Sequence, residues 1–321
     1  MSAITHKAAL FGIVETVSGT DEFGGAATDT RAILARDIDI KVDPAVLERQ
    51  FQSTSNSPHK ALLGSSLYAL SFQTELKWNG NIAGDDTDPW ETEPCWRAAG
   101  CVAAYTAETG LGVGDGYVDV HPTSASWETA TLYCYVDGLL VPFVGTTLTA
   151  EIIIEAGGLA VVNWSGFARY TRPTDEAMVV PVYDSQVGLP GRGATFTLGG
   201  NAIGASKLQF QLANEIGRRQ SVADAWGIPG FHVTKRQPIG SFDPETRLQA
   251  VSPAYWTLFD ASTSSALSLA LGSAGNSATL TMPAMTLDSN AFGDRDGLRV
   301  YEIPFHANRS AGDDEWNLHF I

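Results

Sequence analysis

The chain has 321 residues, 44% of them hydrophobic and 17% charged, which is room for two globular units of ordinary size. A formal net charge of −16 excludes a basic groove for nucleic acid, because such a groove needs clustered Lys and Arg to displace counterions. Three cysteines in so long a chain exclude a disulfide framework, and the apolar runs are too short for a helix to cross a bilayer.

The 32 glycines, with abundant Thr, Ser and Val, favour strands and turns. The segment 1–7 leads into no apolar run of the secretory kind, so the expectation is a protein folded in a cytosol. Ile38, Ile40 and Val42 alternate with polar residues and predict a strand. A second strand is predicted over 68–78, with Leu70, Phe72, Thr74, Leu76 and Trp78 on one face. Residues 43–66 between them read as a long hairpin loop whose apolar members are Val46, Leu47, Phe51, Leu62 and Leu63. A helix is predicted from Asp88 as cap and Pro89 as first residue to Gly100, with Glu91 and Glu93 at its positive end and Cys95 and Cys101 on opposite faces. Residues 131–136 run into Asp137-Gly138, a hairpin dipeptide. Gly157-Gly158 marks a second hairpin between 150–155 and 159–170. A second helix is predicted from Ser252 and Pro253 to Asp260.

The order of elements repeats. Strand 36–42 corresponds to 207–212, the polar Glu48-Arg49-Gln50 to Arg218-Arg219-Gln220, and one helix to the other. The strand opening at Gly158-Leu159 corresponds to that at Gly297-Leu298. The expected layout is a first domain over 1–175, a linker over 176–193 and a second domain over 194–321.

Motifs for chemistry are missing. The six histidines are scattered, and no Gly-x-Ser-x-Gly elbow is present. Gly110, Gly112, Gly114 and Gly116 lack the spacing and the Lys-Ser/Thr ending of a phosphate loop. Asp85, Asp86, Asp88, Glu91 and Glu93 do not fit the EF-hand register, and capping accounts for them. The cysteines read as small buried hydrophobes. Trp78, Trp96, Trp164 and Trp256 fall at core positions. No catalytic residue, cofactor or metal site is expected, and the chain is not expected to be an enzyme.

The stretch from Ala9 to Asp21, Leu34-Ala35-Arg36-Asp37-Ile38, Pro89-Trp90-Glu91 to Gly100-Cys101 and Ala130 to Gly138 together resemble a known family, as do Trp164 to Asp175 and Gly312-Asp313-Asp314-Glu315 with Leu318. The chain is similar over most of its length to the major tail tube proteins of long-tailed, siphovirus-like bacteriophages. The resemblance implies a mainly β fold of two tandem β-sandwich or barrel domains, each flanked by one α-helix. It implies a structural virion protein whose rings stack into the hollow tail, assembled in the bacterial host cytoplasm, without membrane insertion. Partners would be copies of itself, a tape-measure protein and a tail terminator, with DNA passing unbound. Two domains per chain imply homotrimers of pseudo-sixfold symmetry in place of hexamers. By the same resemblance Val46, Leu47, Phe51, Leu62 and Leu63 are expected to contact the next ring, and the acidity to serve a lumen that repels DNA. The rival expectation is a carbohydrate- or receptor-binding β-sandwich module of a virion.

Overall fold

The computed structural model describes residues 7–52, 54–55, 57–79, 90–106, 116–125, 127–246, 255–273 and 275–321. The protein is mainly β, with antiparallel sheets and two short helices. The first half holds strands β1 (Ala8–Val14), β2 (Ala32–Ile33), β3 (Ala35–Leu47) and β4 (Leu62–Glu75), then helix α1 (Glu93–Ala98). It continues with β5 (Cys101–Thr106), β6 (Tyr117–Pro122), β7 (Ala130–Val136), β8 (Leu139–Glu155), β9 (Val161–Arg169) and β10 (Thr174–Asp175). The second half holds β11 (Thr195–Leu198), β12 (Asn201–Ala202), β13 (Ala205–Gln211), β14 (Asn214–Arg219), β15 (Gly230–Arg236) and β16 (Ile239–Pro244), then α2 (Tyr255–Asp260). It ends with β17 (Ser265–Ser273), β18 (Asn276–Leu287), β19 (Ala291–Arg295), β20 (Leu298–Asn308) and β21 (Asn317–Phe320).

In the first half β3, β4, β9 and the end of β8 form one sheet, while β2, β1, β7, the start of β8 and β10 form another. The 17-residue β8 serves both. Its register breaks between Val144 and Thr147, where Gly145 sits at φ +65°, a conformation a side chain strains. The buried Glu15 carboxylate fixes this bend by accepting bonds from the Gly145 amide at 2.7 Å and the Thr131 hydroxyl at 2.8 Å. The strand predicted over 68–78 ends at Glu75 as β4, where Leu70, Phe72 and Thr74 are buried; Leu76 and Trp78 beyond it are buried as well, but so is Lys77 between them.

Helix α1 begins at Glu93, later than the expected Pro89, with Pro94 in its first turn; Asp88 and Pro89 lie outside the described residues. It ends at Ala98, and the chain turns at Gly100, whose φ is +76° and against which the Trp127 ring packs, so a β-carbon there would strike the indole. Cys95 and Cys101 do not share a helix: Cys101 opens β5, because Gly100 turns the chain into a strand. Ser252 and Pro253 lie outside the described residues, and α2 stops at Asp260 as expected.

A single core cluster runs through both halves, from Leu10 and Trp96 to Phe305 and Trp316. The Trp96 ring meets Trp164 edge-on at 4.8 Å and Trp316 at 6.1 Å. Residues 176–193 pack along both halves. The Leu189 amide donates to the Leu76 carbonyl at 3.1 Å, and Asn276 Nδ2 donates to the Val187 carbonyl at 3.1 Å. Within this segment's reach lies a buried ion pair, Lys77 Nζ to Glu91 at 3.3 Å, whose carboxylate also accepts the Asp184 amide at 2.6 Å.

Candidate self-assembly interface

The strand pairings of the first half recur in the second. The pairs β1–β2, β1–β7, β7–β8, β8–β10, β8–β9, β4–β9 and β3–β4 have as counterparts β11–β12, β11–β17, β17–β18, β18–β21, β18–β20, β16–β20 and β13–β16. The bulges recur too. Ala35 faces Thr74 and Asp39 faces Ser71 across an irregularity that follows Arg36; Ala205 faces Pro244 and Gln209 faces Ser241 across another that follows Ala205, one rung away in the same stretch. In the paired hairpins, Ala130 faces Thr146 and Leu132 faces Phe143, as Ser265 faces Met285 and Leu267 faces Met282. A shared irregularity is stronger evidence of a repeat than a shared strand, since alternation alone sets a strand and nothing generic sets a bulge. Phe72 on β4 and Phe242 on β16 thereby occupy one position, both buried.

The repeats join edge to edge. β13 pairs with β8, rung by rung from Lys207 facing Glu155 to Gln211 facing Glu151. This seam buries Phe210 against Ile152 on the helix side and carries an ion pair, Lys207 Nζ to Glu155 at 2.9 Å. On the opposite face a chain of polar side chains crosses the strands. Arg36 donates to Gln73, Gln73 to Asn163 at 2.5 Å, and Asn163 to Glu151 at 3.0 Å; Gln211 across the seam donates to Glu151 at 2.6 Å, as does Gln209. Burial pushes the Glu151 carboxyl up, but the three amide donors and Lys207 outweigh it and hold it below the usual carboxylate range. The result is one eight-strand sheet in the order β3-β4-β9-β8-β13-β16-β20-β19.

Its two ends are open: among the described residues β3 pairs only with β4, and β19 only with β20. These ends are the repeat equivalents of the joined strands, β3 of β13 and the β19 edge of the end of β8. Aligned through their rungs, Phe210 and Ile152 of the seam correspond to Ile40 on β3 and Phe292 on β19. Phe292 is 57% exposed and rests on Tyr301 at 5.2 Å, near Trp256 of α2. The Lys207–Glu155 rung corresponds to Asp37 and Arg295, opposite charges with the signs exchanged. Within the chain Arg295 meets Asp243 at 2.9 Å and Glu245 at 3.2 Å.

The expected loop over 43–66 is strand for much of its length. β3 and β4 run together to Val46 facing Leu63 and Leu47 facing Leu62, and only 48–61 form the turn. All five expected contact residues are exposed on this projecting hairpin. Sequence reasoning missed its counterpart, the β14–β15 hairpin, because Asn214–Arg219 carries little apolar alternation.

Among the described residues no group of three His, Cys, Asp or Glu side chains is placed to hold a metal; Asp85, Asp86, Asp88, Gly110, Gly112 and Gly114 lie outside them. Burial pushes all three thiols up, Cys134 to about 12. Trp127 covers Gly100 and Trp226 meets the Tyr170 ring at 4.6 Å, and each is 40% exposed. No family model matches the chain, and no curated protein matches it.

Proposed function

We propose that this chain is the subunit of a hollow viral tail tube, built from rings that close through its two open sheet edges. The observation that carries this reading is that β3 and β19 are the repeat equivalents of strands already joined inside the chain. An unpaired edge templates a further strand, and here each edge has its complement at the other end of the same molecule. Because the two edges differ, the contact is head-to-tail, and such a contact leaves no edge free only when it closes as a ring. Six repeats, the number the family resemblance implies, come from three chains. They make a barrel of about two dozen strands, wide enough for an open lumen. The sheet face bearing Gln73, Asn163 and Glu151 lines that lumen, offering passing DNA amides and carboxylates that do not grip phosphate. The rings stack into the conduit, with the tape-measure protein inside until DNA passes.

The test is negative-stain microscopy with mass measurement of the purified chain, alone and as Phe292→Asp. The wild type is expected to form three-chain rings or tubes. The variant is expected to remain a folded monomer with a melting temperature lowered by a few degrees, since Phe292 is more than half exposed but loses its contacts with Tyr301 and Trp256. Tubes from Phe292→Asp, or a wild type that stays monomeric at high concentration, overturn the reading.

A further inference from the structure

In the second half the β14–β15 hairpin folds back over the face of the first half's sheet that bears Asn163 and Glu151, covering its Phe167 and Thr149 end. Phe231 stacks on Phe167 of β9 at 5.8 Å, and Ile216 packs in the same apolar cluster with Leu67 of β4. The Asn214 amide donates to Thr149 on β8 at 3.2 Å, and the Ser66 amide donates to the carbonyl of Trp226 at the hairpin tip at 3.2 Å. The hairpin thus straps the sheet on the far side of the seam.

The β3–β4 hairpin is its repeat equivalent, down to the last bulge. Pro44 faces Ser66 and Val46 faces Leu63 across one irregularity; Glu215 faces Lys235 and Ile216 faces Val233 across the matching one. Val46 therefore stands where Ile216 stands, and Leu63 where Val233 stands. Yet Val233 is 8% exposed, while Val46 is 57% and Leu63 69% exposed. The two hairpins have the same apolar side, and only one has something beneath it. Following the same rung alignment, Phe167 of the covered sheet corresponds to His306 on β20, and Thr149 to Asp288. His306 is exposed, its Nδ1 paired with Asp288 at 2.6 Å.

We propose that the β3–β4 hairpin straps a neighbouring copy of this chain in the same ring, seating Val46 and Leu63 over the β16–β20 face around His306. This rests on the ring reading above and replaces, for these two residues, the contact with the next ring expected from the sequence. Strand alternation then divides the five apolar hairpin residues. Leu47 and Leu62 face the other way. Their equivalents are Gly217 and His232, and His232 is exposed on the covered hairpin as well, so that side is free after the ring closes.

The experiment is a disulfide trap with Val46→Cys and His306→Cys in one chain, oxidised mildly after assembly and read on a non-reducing gel. The native thiols are buried and stay out of the reaction. Lateral strapping gives dimers and trimers and nothing longer, because the ring closes at three. A ladder beyond three chains means the hairpin reaches another ring, and that overturns the strap. Rings visible by microscopy with no cross-link overturn the strap while leaving the ring reading intact; absence of any assembly in the wild type overturns both. As a second readout, Leu63→Asp is expected to reduce ring formation at least tenfold, and Leu47→Ser with Leu62→Ser to leave it unchanged. Equal losses from both would reject the division of faces.

Discussion

Buried Lys77 and Glu91 stabilise the fold only as a pair. Burial raises the Glu91 carboxyl above its usual range, and Lys77 and the Asp184 and Leu34 amides only partly offset this. A carboxyl raised by folding contributes stability below its unfolded value of 4.5, and that contribution fades as pH climbs through the folded value. Lys77→Met removes the one cation and makes the ionised carboxylate costlier. We expect a loss of about 3–5 kcal/mol, larger at pH 8 than at pH 5, read by chemical denaturation at both. A loss independent of pH would mean that packing, not charge, is at stake. At the same scale, the sequence showed which residues are apolar but not which are paired. Glu91 read as a capping acid near a helix start, and nothing local told that Lys77 and Asp184 converge on it.

At the scale of elements, alternation made the strands legible. Leu70, Phe72 and Thr74 named the buried face of β4 correctly because a strand's period is a local property. What alternation does not carry is the partner. That β8 takes β9 on one side and β13 on the other depends on contacts distant in sequence, and the two open edges are defined only once every other pairing is known. The β5–β6 hairpin was legible only in part. Gly100 was legible as a helix end and the glycines at 110, 112, 114 and 116 as a longer hairpin loop in the first half, but no pattern announced which strand this hairpin pairs with. That hairpin pairs with β21, Val120 facing Leu318, and so clasps the halves together. Beside it Arg236 meets Asp313 at 2.8 Å and Glu315 at 3.0 Å. Burial alone would raise the Asp313 carboxyl, but donors from Ser124 and Arg236 together lower it below its usual 3.8. Its contribution is therefore present above 3.8 and is lost as pH falls through the folded value. Asp313→Asn is expected to lower the melting temperature by a few degrees at pH 7 and by less at pH 2. An equal drop at both values would sink the argument.

At the scale of the molecule, the repeat was visible in element order and the manner of its use was not. The two halves share one core, so residues 176–193 are part of the packing rather than a tether. The face of the eight-strand sheet that bears Gln73, Asn163 and Glu151 supplies a test of the conduit. Glu302 is exposed there, at the repeat position of Asn163. Glu302→Lys is expected to leave tubes intact by microscopy but to slow DNA release from assembled particles, because each ring gains a belt of cations that hold phosphate. Release kinetics identical to wild type would argue that this face does not line the channel.

The seam between β8 and β13 has one more consequence. It forms within a single chain, where the two edges meet at the high effective concentration of a tether rather than by collision. In the ring proposed above, half of the joints would therefore be made before any two molecules meet. Units also arrive in twos, so a ring with an odd number of repeats cannot be built. The commonest error of a cyclic assembly, one unit too few or too many, is removed by parity, and the nearest wrong ring differs by a whole molecule.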